Sequence, residues 1–281
     1  MIPDGDLRRV IGVALDEDLG DGGDPTSRGL AGRPASVALV ARTAATVAGL
    51  PAGEAPTGAV AERLGTGAVA TVLRAADGDR VRAGAVLARL DGDAATLLGA
   101  ERTLLNLIGR LTGVATLTAA YAAAVAGTGA VIRDTRKTTP GLRALEKYAV
   151  RCGGGVNHRL GLHDALLVKD NHVAAAGSLT AAVAAARAAG PDLPLEVEVD
   201  TLAQVEEALA CGCDLLLLDN MDPATMREAV ELSAGRARTE ASGGITLATV
   251  RAAAETGVDF IAVGALTHSA PAADVALDWA P

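Results

Sequence analysis

Eight Lys or Arg and three of the chain's four His fall within forty residues, RDTRKTTPGLRALEKYAVRCGGGVNHRLGLHDALLVKDNH, from 133 to 172. Only four carboxylates share that window, so it carries +4 in a chain whose net charge is −9. The field of the whole molecule repels nucleic acid and anionic lipid, and neither is an expected partner. Cations gathered in one segment of an acidic protein instead describe a pocket for a small anion. Lysine usage narrows the pocket. Of 25 cationic residues only three are Lys, and Lys137, Lys147 and Lys169 all lie in the window. Lysine is a compact charge on a flexible stem, suited to a phosphate oxygen or a reaction centre where a planar fork does not fit. Lys137 and Lys169 are therefore candidates for function, whereas Lys147, in Glu146–Arg151, reads as ordinary helix surface. Arg136 and the NHR of His158 and Arg159 supply donors for carboxylates, the arginines as bidentate forks. The spacings of His158, His163 and His172 match no familiar metal pattern.

Downstream, acids and small residues recur at steady intervals. Glu198, Asp219, Ser242 and Gly264 follow one another at 21, 23 and 22 residues, closing the runs LPLEVEVD, CDLLLLDN, ARTEASGG and VDFIAVGAL. Between them TLAQVEEALACG, PATMREAVELSAG and TLATVRAAAETG carry helical spacing and end in Gly. A constant strand and helix period with polar residues at the strand ends predicts an α/β barrel with short outer helices. ALLVKDNH and AVIRDTRKT extend it backwards, placing Lys169, Arg136 and Lys137 at strand ends as well. Cations and carboxylates then converge on one mouth. Glu198 and Asp219 suit Mg²⁺ or ribose hydroxyls. Ser242, Gly243 and Gly244, read as lying between a strand and a helix, and Gly264 with His268 in VGALTHS, offer turns for phosphate. The residues themselves reach a barrel enzyme that holds a phosphorylated sugar beside a small carboxylated molecule. They do not give the reaction.

The first hundred residues differ. VALVARTAATVAGL, GAVATVLRAADGDRV and GAVLARLDGD read as short strands with Asp-Gly turns, ahead of a helical run from about Ala100 to Ala126. A boundary is set at 105/106, with the C-terminal segment free to rejoin the first domain. The 281 residues are 50% hydrophobic with 1% aromatics, so the core must be filled by Ala, Val, Leu and Ile. MIPDGDLRRV lacks the pattern of a secretion signal, and no uncharged apolar run of membrane length is read elsewhere, so a cytoplasmic location is expected. Cys152, Cys211 and Cys213 are odd in number without CxxC spacing, which argues against a disulfide framework or zinc site. Cys211 and Cys213 are expected to be small buried residues.

In order along the chain, ERTLLNLIGRLTGVAT, the window from Asp134, EVEVDTLAQVEEAL, LLLLDNM, EASGGITL and TGVDFIAVGALTHS resemble the successive signatures of the quinolinate phosphoribosyltransferases. The likeness runs from about Glu101 to Ser269, and ALDEDLGDGGDPTS fits more loosely. The resemblance implies an N-terminal open-faced α/β sandwich over 1–105, an irregular α/β barrel of phosphoribosyltransferase type over 106–281, and a homodimer. It implies transfer of the phosphoribosyl group of 5-phosphoribosyl 1-diphosphate to quinolinate with loss of CO₂, assisted by Mg²⁺. Position by position, Arg136, His158, Arg159 and Lys169 would hold the quinolinate carboxylates, with Arg102 reaching in from the other subunit. Lys137 would meet the donor's phosphate region, and Glu198 and Asp219 the ribose hydroxyls or Mg²⁺. Ser242, Gly243, Gly264 and His268 would hold phosphates. Lys137, Lys169, Glu198 and Asp219 form the implied catalytic set. Pro25, in the GDxT stretch, and the tail VALDWAP depart from the family's usual pattern.

Overall fold

In a computed structural model that describes residues 2–279, the chain opens with α1 (Asp4–Leu19), α2 (Pro25–Arg28), β1 (Pro34–Ala41), β2 (Ala45–Thr46) and α3 (Leu50–Leu64). Then come β3 (Ala70–Leu73), β4 (Arg80–Val81), β5 (Val86–Asp93) and the long α4 (Ala94–Ala124). The second half runs β6 (Val131–Arg133), α5 (Arg143–Cys152), β7 (Leu166–Val168), α6 (Asp170–Ala176), α7 (Leu179–Ala189), β8 (Leu195–Val199) and α8 (Leu202–Ala210). It ends with β9 (Leu215–Asp219), α9 (Pro223–Ser233), β10 (Arg238–Ser242), α10 (Val250–Ala254), β11 (Phe260–Ala262), α11 (Ala265–His268) and β12 (Val275–Trp279). Two compact units share these elements. One gathers the chain up to Ala119, Thr138–Gly154 and everything from Leu266; the other holds Ala120–Lys137 and Gly155–Ala265. The division falls inside α4 rather than at a single point near 105.

In the first unit four strands form an antiparallel sheet of order β12-β1-β5-β3. Val37, Leu39, Leu87 and Leu90 of this sheet pack in one core with Leu97, Leu104 and Ile108, which share one face of α4. Helix α4 starts earlier than the sequence suggests because Asp93 accepts from the N–H groups of Ala95 and Thr96 and so caps it. Pro25 sits at the first position of α2, where its missing N–H costs nothing, and Asp24 accepts from Thr26 N at 2.8 Å. The C-terminal segment belongs to this unit, β12 pairing with β1 from Val37↔Trp279 onward. It also runs along two glycines of α4. A Cβ at Gly113 would lie 2.0 Å from Pro271 O, and one at Gly109 3.0 Å from Ala273 O.

Three expectations are corrected here. Helix α4 is long and apolar enough to cross a membrane, against the reading that no such run exists, but 61% of the apolar window is buried inside the protein. The stretch Glu146–Arg151 is not plain helix surface, since Glu146 and Lys147 are 0% and 1% exposed. Glu146 is drawn inward by Arg110, whose Nε and Nη2 donate to Oε1 at 3.0 and 2.7 Å, while Oε2 accepts from Thr139 N. Of the two cysteines expected to be buried, Cys213 is, and burial pushes its thiol up to about 11; Cys211 is only half-buried.

The second unit holds six parallel strands in the order β6-β11-β10-β9-β8-β7. This is the sequence order closed into a ring, with the β6–β7 pair replaced by a bridge from Arg133 to Val156. On a flat sheet β6 and β8 would stand four strands, or about 19 Å, apart. Yet His158, fastened beside β6, bonds Glu196 of β8, so the sheet curls into an irregular barrel. Strand β9 reads LLLLD and is buried at its first four positions, as a parallel strand covered on both faces must be. The returning helices α7, α8 and α9 are short, and α8 opens on a Thr201/Gln204 capping box.

Candidate active site

Strands β7, β8, β9 and β10 each carry a polar side chain at or just past the carboxyl end: Lys169, Glu198, Asp219 and Ser242. Register explains the first pair: Val168 aligns with Val197, so Lys169 and Glu198 stand side by side. Lys169 Nζ donates to Glu198 Oε2, and the Glu198 side chain is 13% exposed. His172 Nδ1 accepts from Lys169 N at 3.0 Å and fixes the start of α6. Asp219 closes β9 beside Ser242 of β10, and its Oδ2 accepts from Asn220 Nδ2 at 2.6 Å. Asn220 is the one non-glycine residue with positive φ among the described residues, at 52°, and its N–H donates to Ser242 O. The two strand ends are thereby tied together.

Gly243 completes this corner. Its φ is +96°, and an added Cβ would lie 2.2 Å from Asn220 Oδ1 and 2.9 Å from Asn220 N. Gly243→Ala is expected to lower stability by about 1–3 kcal/mol in urea unfolding, through strain at this φ and displacement of Asn220. The helix expected directly after Gly244 begins only at Val250. Thr246 and Thr249 form a closed turn instead, Thr246 N donating to Thr249 Oγ1 and Thr249 N to Thr246 O. Gly264 follows β11 directly before α11.

The basic segment is stitched to β6. Buried Asp134 accepts from His158 N at 2.8 Å and from Asn157 Nδ2. Strand β6 ends at Arg133, so Arg136 and Lys137 stand on the segment beyond it, not at the strand's end. Lys137 is exposed, its N–H donating to Thr135 Oγ1. Arg159 Nη1 donates to Ala165 O at 3.0 Å. Burial first, and then the neighbouring charge of Arg136, lower the pKa of the Arg159 guanidinium. The Nε atoms of Arg136 and Arg159 are both buried and lack a hydrogen-bond partner among the described residues. Two adjacent forks with unspent donors are suited to an anion with more than one carboxylate.

Below this mouth lies a set that sequence reasoning missed. Arg133, Glu196 and Glu240 come from alternate strands β6, β8 and β10, as one layer of a barrel interior does. Arg133 Nη1 donates to Glu240 Oε2 and its guanidinium stacks 4.7 Å from the Phe260 ring. His158 Nε2 lies 2.6 Å from Glu196 Oε2. Burial, followed by the neighbouring Glu196 carboxyl, pushes the Glu240 carboxyl pKa up. The sequence signal was the alternation itself, because Glu196 precedes Glu198 by two residues and Glu240 precedes Ser242 by two, and such residues share a face. Ligand atoms of His158, Glu196 and Glu240 lie within 4.8 Å of one another, a spacing that a metal ion could bridge. Arg133 already pairs with Glu240, and together with a divalent ion it would exceed the charge of two buried carboxylates. Glu198 and Asp219 fit Mg²⁺ better, as oxygen donors at the open ends of neighbouring strands. Arg102, exposed on α4, and His268, whose Nδ1 is 2.6 Å from Ser269 Oγ, belong to the first unit.

Fold and site together define an α/β-barrel protein whose mouth pairs cationic anion-holders with carboxylates at successive strand ends. Profiles described as quinolinate phosphoribosyl transferase, N-terminal and C-terminal domains, match residues 24–112 and 114–278. The nicotinate-nucleotide pyrophosphorylase [carboxylating] of Mycobacterium leprae is 54% identical over 208 residues, 73% of each chain. The chloroplastic enzyme of that name from Arabidopsis thaliana is 40% identical across 98% of this chain and 83% of its own. The solved nicotinate-nucleotide pyrophosphorylase of Francisella tularensis superposes with a TM-score of 0.92 at 33% identity, covering 100% of this chain and 98% of that one. The chain belongs to the quinolinate phosphoribosyltransferase family.

Proposed function

We propose that the protein is a pentosyltransferase of NAD biosynthesis that joins quinolinate to 5-phosphoribosyl 1-diphosphate, releasing nicotinate mononucleotide, diphosphate and CO₂. The observation that carries this reading is the Arg136 and Arg159 pair, with two buried, unspent Nε donors and an Arg159 guanidinium whose charge is disfavoured by burial and by neighbouring Arg136. A dicarboxylate relieves both costs at once. Arg136, His158, Arg159 and Lys169 bind the quinolinate carboxylates, and the exposed Arg102 of each subunit of a homodimer reaches the other's site.

Glu198 and Asp219 hold the ribose hydroxyls or Mg²⁺, Lys137 the diphosphate region, and Ser242, Gly243 and Gly264 the 5-phosphate. Mg²⁺, when bound, neutralises the departing diphosphate. The two carboxylates stabilise the oxocarbenium-like sugar as the diphosphate leaves. The cations orient the pyridine nitrogen towards it, so attack occurs within a positioned pair. Once the ring nitrogen is cationic, expulsion of CO₂ from the adjacent carbon leaves a carbanion stabilised by that charge, which takes up a proton from water to give nicotinate mononucleotide. The reading places the reaction in the cytoplasm.

Purified protein mixed with quinolinate, the phosphoribosyl donor and Mg²⁺ is expected to give nicotinate mononucleotide and CO₂ in equal amounts. Nicotinate in place of quinolinate is expected to give neither. A folded dimer that makes no product from quinolinate would overturn the reading.

A further inference from the structure

An ordinary barrel fills its interior layers with branched apolar side chains. Here β6, β8 and β10 place Arg133, Glu196 and Glu240 there, with Glu196 4% and Glu240 0% exposed. Taking such groups out of water costs more than packing Val or Leu of similar volume, so stability does not explain the layer. What it supports directly is His158. That residue is fastened at both of its ends, by its N–H on Asp134 Oδ1 at 2.8 Å and by its ring on Glu196 Oε2 at 2.6 Å. An imidazole turns freely about its second side-chain torsion unless a bond holds it. A partner at Nε2 fixes the ring plane and decides which nitrogen carries the proton, and so what the opposite edge can offer a ligand.

We infer that Glu196, backed by the Arg133–Glu240 ion pair, is a positioning residue that orients the ring of His158 for the substrate carboxylate. The inference rests on the proposed function only in naming quinolinate as that substrate. The bond itself is independent of it.

The test combines kinetics with NMR of the imidazole nitrogens. Glu196→Gln is expected to raise the KM for quinolinate about tenfold to a hundredfold, the range typical of groups that orient a contacting ligand, and to leave the KM for the phosphoribosyl donor essentially unchanged. His158→Ala should raise the same KM, and the double variant should be no worse than His158→Ala alone, because both changes remove one interaction. The chain has four His, so the His158 signals are assigned by their loss in His158→Ala, and they should shift in Glu196→Gln. Effects that multiply in the double variant, unmoved His158 signals, or an equal rise in both KM values would overturn the inference. If Glu196→Gln does not fold, Glu196→Asp, which keeps the charge and shortens the reach, carries the same comparison. A parent enzyme inactive on quinolinate would defeat the functional reading alone, while the imidazole spectra would still decide the link between Glu196 and His158.

Discussion

Replacing Lys169 by methionine is expected to lower kcat/KM for quinolinate about a hundredfold to a thousandfold, the loss typical of a single charge aimed at a reacting group. The side chain stands immediately past β7 with its ammonium on Glu198, so its removal strips a cation from the mouth and leaves a mostly buried carboxylate without that partner. Lys169→Arg should not restore the rate. A guanidinium is larger and planar, and the neighbouring register of Val168 and Val197 leaves Glu198 directly beside the residue. Steady-state kinetics with quinolinate varied at saturating donor checks both variants. A Lys169→Met enzyme with the parent's kcat/KM would reassign Lys169 to holding Glu198 and nothing more.

Arg110→Met is expected to destabilise the protein by about 3–5 kcal/mol, since it leaves an uncompensated charge in the interior. Glu146 is 0% exposed and receives two bonds from Arg110, whose guanidinium also donates to the carbonyls of Thr267 and Ala270. Removing the arginine therefore strips these bonds from a buried carboxylate and two carbonyls, and loosens the C-terminal segment from α4. Arg110→Met combined with Glu146→Met should be more stable than Arg110→Met alone, because the Glu146 carboxylate is no longer left buried without Arg110. Urea unfolding of the single and double variants measures both. A double variant less stable than Arg110→Met would show that Glu146 holds Thr139 N independently of Arg110.

The second unit was largely legible because its periods are local. Apolar runs ending in Glu198, Asp219 and Ser242 became β8, β9 and β10, and Lys169 follows β7 as its sequence indicated. The misreadings have a common cause. Glu146 and Lys147 carry the composition of a solvated helix face, and only Arg110, 36 residues earlier, makes the Glu146 site interior. Arg136 and Lys137 lie past the strand rather than at its tip, since Asp134 turns inward to hold the segment around His158. The helix after Gly244 starts late because two threonines satisfy each other in a turn, an interaction that competes locally with helix formation.

By itself the sequence determined the family, the parallel βα succession and the residue types available to an anion, because motif, period and composition are properties of neighbours along the chain. Tertiary structure alone decided which charges face water and which face one another. Arg133, Glu196 and Glu240 are far apart in sequence and unremarkable in type. Curling the sheet brings them into one dry layer beneath His158, where an unpaired charge is costly and each group is held by its partner.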